Sequence, residues 1–468
     1  MNAEDTMPAE KKPAGKIWRA GTLTYTTGAL AVLFCWLLWG DFAFALKERS
    51  IPSVLQLLFK RFEASDTLSG FLIGSLPAIL TVLLKPVFAY KSDRHRGRLG
   101  RRIPFLLLGT PFTVLAMGGL AASPWLGLWL HDVLGARSPG TALLILCLLG
   151  FFWALFEVSS VIVNAVFGGL VNDVVPAPLL GRFYGLFRAF SLLAGIVFNY
   201  WLFGKAESHY ALIFLGMALI YGVGFTMMAL KVREGSYPPP PPLPPRETSV
   251  AGFTRAARSY FRICFGRPYY LLVFFFKAVM FTATMPPTLF GVYFAKKIGM
   301  DMGTFGKCYA LTYFISLALA WPLGALADKF HPLRVSLVTS ALFMLATLWG
   351  SVFANNITLF GVALVAQSVC AGAWMTSAAS LGLRLYPRIS YAQFASAQGI
   401  MTSFFTMLAG PCVGFLLDRT GHDYRLIFLA AALLSLVGLI AGIVLHSRFM
   451  KLGGPANYQA PGGELDDS

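Results

Sequence analysis

Twelve stretches of mainly apolar residues, most of them twenty or more long, recur along the chain, separated by short polar breaks rich in Arg, Lys, Gly and Pro. A helix crossing the hydrocarbon core of a bilayer needs about 20 such residues at about 1.5 Å each. The runs cover 22–46, 68–90, 103–122, 141–171, 183–204, 209–231, 268–294, 306–328, 333–353, 357–380, 394–417 and 425–447. They predict an all-α membrane protein of twelve transmembrane helices, and the even number puts both termini on one side. The longest polar break holds YPPPPPLPPRE, Tyr237 to Glu247, where proline removes the donor and clashes with the preceding turn. That segment reads as an extended spacer between two six-helix halves. The expected divisions are a tail over 1–21, a bundle over 22–231, the linker over 232–263, a second bundle over 264–449 and a disordered tail over 450–468.

Composition narrows the class. Of 468 residues 57% are apolar and 13% charged. Soluble domains carry about 25% charge, so an ordinary globular enzyme, a disordered chain and a disulfide-stapled domain are all excluded. The net charge of +17 would suit nucleic acid if it lay on one folded face, but here the bases flank apolar runs. With the termini inside, 24 Lys and Arg fall on the inner side, 10 on the outer side and four within spans. The positive-inside rule therefore predicts a multi-pass protein of the cell inner (plasma) membrane with both termini cytoplasmic. Six scattered cysteines show no metal spacing, and no GxxxxGK[ST] loop or nucleophile constellation is present. The sequence predicts no enzyme, no cofactor, no metal and no nucleic-acid partner.

The halves carry a weak repeat. Ala89 to Arg102 reads AYKSDRHRGRLGRR after the second span, and Gly324 to Phe330 reads GALADKF after the eighth. These loops resemble the signature of the major facilitator superfamily. SDRHRGRLGRRIPFLLLG, from Ser92 to Gly109, is similar to its glycoside–pentoside–hexuronide cation symporters, the melibiose permease-like group. Gly40-Asp41, Asn164 with Phe167 and Leu170, and Asp173 match that group at further points, and Arg188 falls where it has a sugar-site arginine. The resemblance implies two pseudo-symmetric six-helix bundles with a solute site between them. One departure bears on coupling: Lys85 stands where the group has a cation-binding aspartate. An ammonium cannot ligate sodium, so protons are the expected coupling ion.

Ionisable groups deep in a bilayer cost from about 2.5 kcal/mol upward, which makes each a functional candidate unless it reaches the surface. Glu157 lies about 24 Å along the fourth span by helical rise, where ionising a carboxyl is costly; that suits a proton carrier, or a structural carboxyl paired with arginine. Asn164 follows seven residues on, on the same helix face. Arg188 offers a planar fork for sugar hydroxyls or a clamp to Glu157 or Asp173. Asp41 is a second titrating group, a partner of Lys85 or Lys277, or a wetted helix-end charge. Lys277 sits about 13 Å inside the seventh span, beyond comfortable snorkelling, whereas Lys85 is near enough to the inner end to snorkel. Met285-Pro286-Pro287 should bend that span. Asp93, Arg94 and Arg101, with Asp328 in the second half, are the expected gating charges, besides serving topology. Trp36, Trp39 and Trp153 are candidates for stacking on a sugar ring, or packing residues.

The function expected from these features is secondary active transport of a small solute, a sugar or glycoside, by alternating access with proton coupling, by a monomer in the lipid bilayer. A proton-driven exporter of drugs or other apolar compounds is the alternative within transport, supported by 41 Phe and 15 Met. A non-transporting assembly or scaffold factor with the same fold is the alternative of another class.

Overall fold

The computed structural model describes residues 17–239, 258, 260–387 and 390–461. Among them, eleven helical stretches are long and apolar enough to cross a bilayer. One of these, Ala177–Lys231, has 55 residues. Drawn straight it would measure about 80 Å, more than twice the hydrocarbon core. It is instead two arms, Leu180–Val197 (α5) and Ala206–Lys231 (α6), joined through a π turn and a 3-10 turn, with non-helical backbone at His209. Phe187 on one arm and Phe225 on the other both pack on Phe167, at ring distances of 5.8 and 5.2 Å, so the chain doubles back between them. Among the described residues the spans therefore number twelve.

The other helices of the first bundle are α1 (Thr27–Arg61), α2 (Asp66–Arg94), α3 (Ile103–Leu134) and α4 (Thr141–Val174). The second bundle comprises α7 (Pro268–Lys297), α8 (Met302–Phe330), α9 (Pro332–Phe353), α10 (Ile357–Ala378), α11 (Tyr391–Arg419) and α12 (Leu426–Lys451). The α7 helix breaks at Thr284, immediately before Met285-Pro286-Pro287, because two prolines can only open a new helical segment.

Three boundaries differ from the sequence reading. The first helix runs to Arg61 rather than residue 46, so Lys47, Glu48 and Arg49 lie inside it and not in a loop. Before it, Trp18–Ala20 (β1) and Leu23–Tyr25 (β2) form a hairpin where a tail and the start of a span were expected. After α12 the chain stays packed: the Tyr458 hydroxyl donates to the Leu385 carbonyl at 2.8 Å, and the Tyr270 hydroxyl to that of Pro461 at 3.0 Å. Most of the proline-rich linker, and residues 462–468, lie outside the described residues.

The two bundles merge at the end away from the termini and part toward the terminus side. One hydrophobic core runs through the first bundle and into the far-end segments of the second, through Leu289–Ala295 and Tyr424–Phe428. The terminus-side core of the second bundle, around Phe274, Trp374 and Phe394, is separate. At the far end α2 crosses α11 at Gly70 and Gly410, where a Cβ on either glycine would come within 2.3 Å of the other's carbonyl oxygen. Only glycine permits that approach. Polar groups lock the same end. Asp418 of α11 accepts the backbone N–H groups of Asp66 and Thr67 at 2.9 and 3.0 Å, satisfying orphan donors at the α2 N-terminus. The buried Asp66 accepts from the Tyr424 hydroxyl and pairs with His422 at 2.7 Å, while Lys60 donates to Tyr424 at 3.0 Å.

Gly410→Ala should therefore pry this end open. In a cysteine-free background carrying Ser69→Cys, labelling by an impermeant maleimide should accelerate, whereas Gly118→Ala, whose Cβ meets nothing within 4 Å, should leave it unchanged. Equal rates in both would mean that the crossing does not hold the end shut.

Candidate functional site

Lys47, near the middle of α1, is completely buried. Its ammonium contacts the Glu48 carboxylate at 2.5 Å and the Ser160 hydroxyl at 2.7 Å, and lies 4.3 Å from the Phe44 ring centroid and 4.8 Å from that of Phe156. Glu157, one turn before Ser160 on α4 and 8% exposed, faces the same two charges, Lys47 and Glu48. Among the described residues Lys47 pairs with Glu48 alone, and Glu157, in the field of both charges, forms no ion pair with lysine or with the expected arginine. Ending the first span at residue 46 hides Lys47 and Glu48 from the sequence.

Beside this cluster a cavity of about 370 Å³ opens within the first bundle, lined by Asp41, Glu48, Arg49, Asn164 and Ser191 among others. Asp41 is 2% exposed and its Oδ2 has no hydrogen-bond partner among the described residues. Neither Lys85 nor Lys277 pairs with it; the charge acting on it is Arg49, two turns further along α1. Arg49 donates to Ser191 at 3.0 Å and lies 4.7 Å from the ring centroid of Tyr313 in the second bundle. Arg188 is not the clamp expected: it donates across the halves to Thr376 of α10 at 3.0 Å. Asp173 belongs instead to the terminus-side loop.

A larger cavity, about 630 Å³, lies between the bundles, beneath the glycine crossing. Its walls come from α2, α7, α10 and α11, and Lys277, Trp374, Gln398, Thr402 and Ser403 face it. Phe281 and Met285 at the break in α7 add an apolar surface. Lys277 makes no hydrogen bond or ion pair with any described residue.

The expected gating residues pair within their own halves. Arg101 and Arg102 bind Asp173 at 2.6 and 3.0 Å, and Arg102, 7% exposed, reaches Asp93 at 2.5 Å. Arg94 lies 5.7 Å from the Tyr90 ring centroid. Glu234 caps the start of α3, accepting the N–H groups of Arg101, Arg102 and Ile103 at 2.8–3.0 Å. In the second bundle Asp328 pairs with Arg384 at 3.5 Å. Arg102 and Glu234, both missed, hold this loop; the arginine was read as one base in a run of several.

Other candidates fall elsewhere. Trp153 is buried in the core, stacked on Phe156 at 5.3 Å, and donates its indole N–H to the Leu72 carbonyl, so it is a packing residue. Trp36 packs against the same core, Trp39 is exposed, and neither lines these two cavities. Lys85 is exposed on α2 and lines neither cavity. Asp66, Asp418 and His422 place ligand atoms within 4.8 Å of one another, a grouping of metal-ligand type that sequence spacing could not show. All three are already engaged in the far-end lock.

Removing one partner of a buried charge set costs about 3–5 kcal/mol. Lys47→Met should lower the unfolding midpoint accordingly, and adding Glu157→Gln should recover part of the loss. A double variant no more stable than the single would show that Glu157 does not depend on Lys47.

A family model described as MFS/sugar transport protein matches residues 62–385. No curated protein matches the sequence. Among solved structures, a bacterial homologue of the human lysosomal transporter Spinster, inward-facing and unoccupied, is similar with a TM-score of 0.69 at 13% identity, covering 93% of this chain and 100% of that one. A bacterial homologue of the iron transporter ferroportin, inward-facing, gives 0.64 at 15% identity, covering 89% and 99%. A D-xylose–proton symporter gives 0.61 at 11% identity, covering 93% and 98%. At these identities the likeness is one of fold. With the family model matching well over half its length, the chain belongs to the MFS/sugar transport proteins: it is a multi-pass secondary transporter and not an enzyme.

Proposed function

We propose that this transporter moves a sugar or glycoside by alternating access, coupled to protons, in the cell inner (plasma) membrane with both termini cytoplasmic. Residues 22–231 and 264–449 are the two halves that rock, within one chain acting as a monomer. The observation that carries the coupling is a charge imbalance. The Lys47 ammonium is taken by Glu48, and Glu157, buried beside them, has no ion-pair partner among the described residues. A carboxylate left so in a low-dielectric interior asks for a positive charge, and a proton supplies it without a coordination shell. Glu48 lines the neighbouring cavity with Asp41 and Asn164, which gives that proton a route to water.

Alternating access is supported by the distribution of contacts. The charged lock and the glycine crossing hold the far end, which the distribution of Lys and Arg makes the outer one. Counting Lys47 and Arg49 inside α1 lowers the outer total from ten to eight and strengthens that assignment. On the terminus side Asp93 and Asp328 pair inside their own halves, so these loop charges do not join the halves there. The state is therefore read as inward-facing. The sugar assignment draws on the family description and on the fold shared with a D-xylose–proton symporter.

In proteoliposomes with an imposed pH gradient, Glu157→Gln should abolish accumulation of a transported glycoside while substrate exchange persists. Accumulation that survives the change would remove Glu157 as the carrier, and a panel of sugars showing no counterflow at all would overturn sugar transport. Arg188→Ala, through loss of its link to Thr376, should alter the equilibrium between states more than affinity. A calorimetric loss of solute binding with unchanged cysteine accessibility on both faces would place Arg188 in the solute site instead.

A further inference from the structure

Two lysines inside the spans are treated in opposite ways. Lys47 is fully buried and pairs with the Glu48 carboxylate. Lys277, half-buried on α7 two turns before the break at Thr284, has no such partner: no described residue gives it a hydrogen bond or ion pair. It faces the 630 Å³ cavity between the halves. An ammonium held in a bilayer without a counter-charge is costly and is tolerated where a ligand supplies one.

A second group makes the same demand. Trp374 lines the same cavity, is 4% exposed, and its indole N–H has no hydrogen-bond partner among the described residues. A lysine ammonium and an indole N–H are donors only, so whatever satisfies both must present acceptor oxygens and, for the lysine, negative charge. The remaining wall is mixed. Phe281, Met285 and Met375 give an apolar surface, and Thr402 and Ser403 give hydroxyls. The volume suits a drug-sized solute.

We infer that this cavity is an oxyanion site, in which Lys277 and Trp374 hold the carboxylate, phosphate or sulfonate head of an organic anion whose apolar or glycosidic body lies along Phe281 and Met285. The inference rests on the transport reading above and narrows its solute to an anionic one. The same head chemistry has two sources, a soluble anion or the headgroup of an anionic lipid entering from the bilayer.

The test is thermal unfolding and calorimetry on the purified full chain with matched pairs: phenyl glucuronide against phenyl glucoside, and 4-phenylbutyrate against 4-phenylbutanol. The charged member of a pair should bind about tenfold more tightly, equivalent to about 1.4 kcal/mol. Lys277→Gln should erase the difference, Lys277→Arg should keep it, and Trp374→Phe should weaken the anion alone. A parallel arm in mixed micelles compares phosphatidylglycerol with phosphatidylcholine. Lys277-dependent stabilisation confined to phosphatidylglycerol identifies the lipid headgroup as the source and overturns the soluble solute, while keeping the oxyanion site. Equal binding of charged and neutral members in the native chain with no lipid preference, or an anion preference that survives Lys277→Gln, overturns the inference. The native pairs decide the question even where a variant fails to fold. Counterflow of neutral glycosides that Lys277→Gln leaves intact would sink the anion site while leaving sugar transport standing.

Discussion

A charge inside a bilayer has no water to fall back on, and the arrangement of this protein follows from how each such charge finds a partner. In the first bundle the solution is internal. Lys47 is sealed among Glu48, Ser160 and aromatic rings, with Glu157 facing it from α4. Because α1 and α4 meet through that cluster, the bundle behaves as one body whose charged interior moves with it. A rigid half is the requirement for rocking; a half whose buried charges needed the other half would be pinned to it.

The contacts between halves are of another kind. At the far end they are backbone approaches between glycines and hydrogen bonds at helix ends, such as Asp418 on the first N–H groups of α2. Such contacts are specific in geometry, yet each group can be rehydrated when the end opens, since Asp66 and Asp418 lie at helix ends and His422 in the turn between α11 and α12. Among the described residues no ion pair joins the Asp93 and Asp328 loops on the terminus side, where each aspartate finds an arginine of its own half. A carrier needs its two gates to be close in free energy, and polar contacts that water can replace keep that difference small.

The fold was legible because lipid makes the apolar run a nearly sufficient signal: twelve runs correspond to twelve spans. What failed were boundaries set by charge. The first run ends at Leu46 in hydropathy, but the helix continues for fifteen more residues, because Lys47 points inward to carboxylates that hydropathy cannot see. The same blindness hid the Lys47–Glu48 pair, whose field reaches Glu157 from a segment read as loop. Glu157, Asn164, Asp41 and Lys277 were legible as charges or amides in oil. Trp153 was misleading, since an aromatic in a span has the same sequence whether it faces a cavity or, as here, donates to a neighbouring backbone. Arg102 and Glu234 were hidden for a different reason: a cap formed by a residue 131 positions away leaves no local pattern.

The two cavities differ in the way transport requires if they serve different passengers. The smaller lies wholly within the first bundle, beside a cluster short of one positive charge, and moves with that bundle whichever gate is open. The larger is shared by α2 and three helices of the second bundle, so its walls separate when the halves rock. A proton taken up in the first changes the field of a rigid body; a solute held in the second bridges two bodies and biases how they close. Coupling then needs no direct contact between proton and solute. It would require only that both act on one equilibrium between closed ends, and Arg49 reaches from the smaller cavity to Tyr313 in the opposite half.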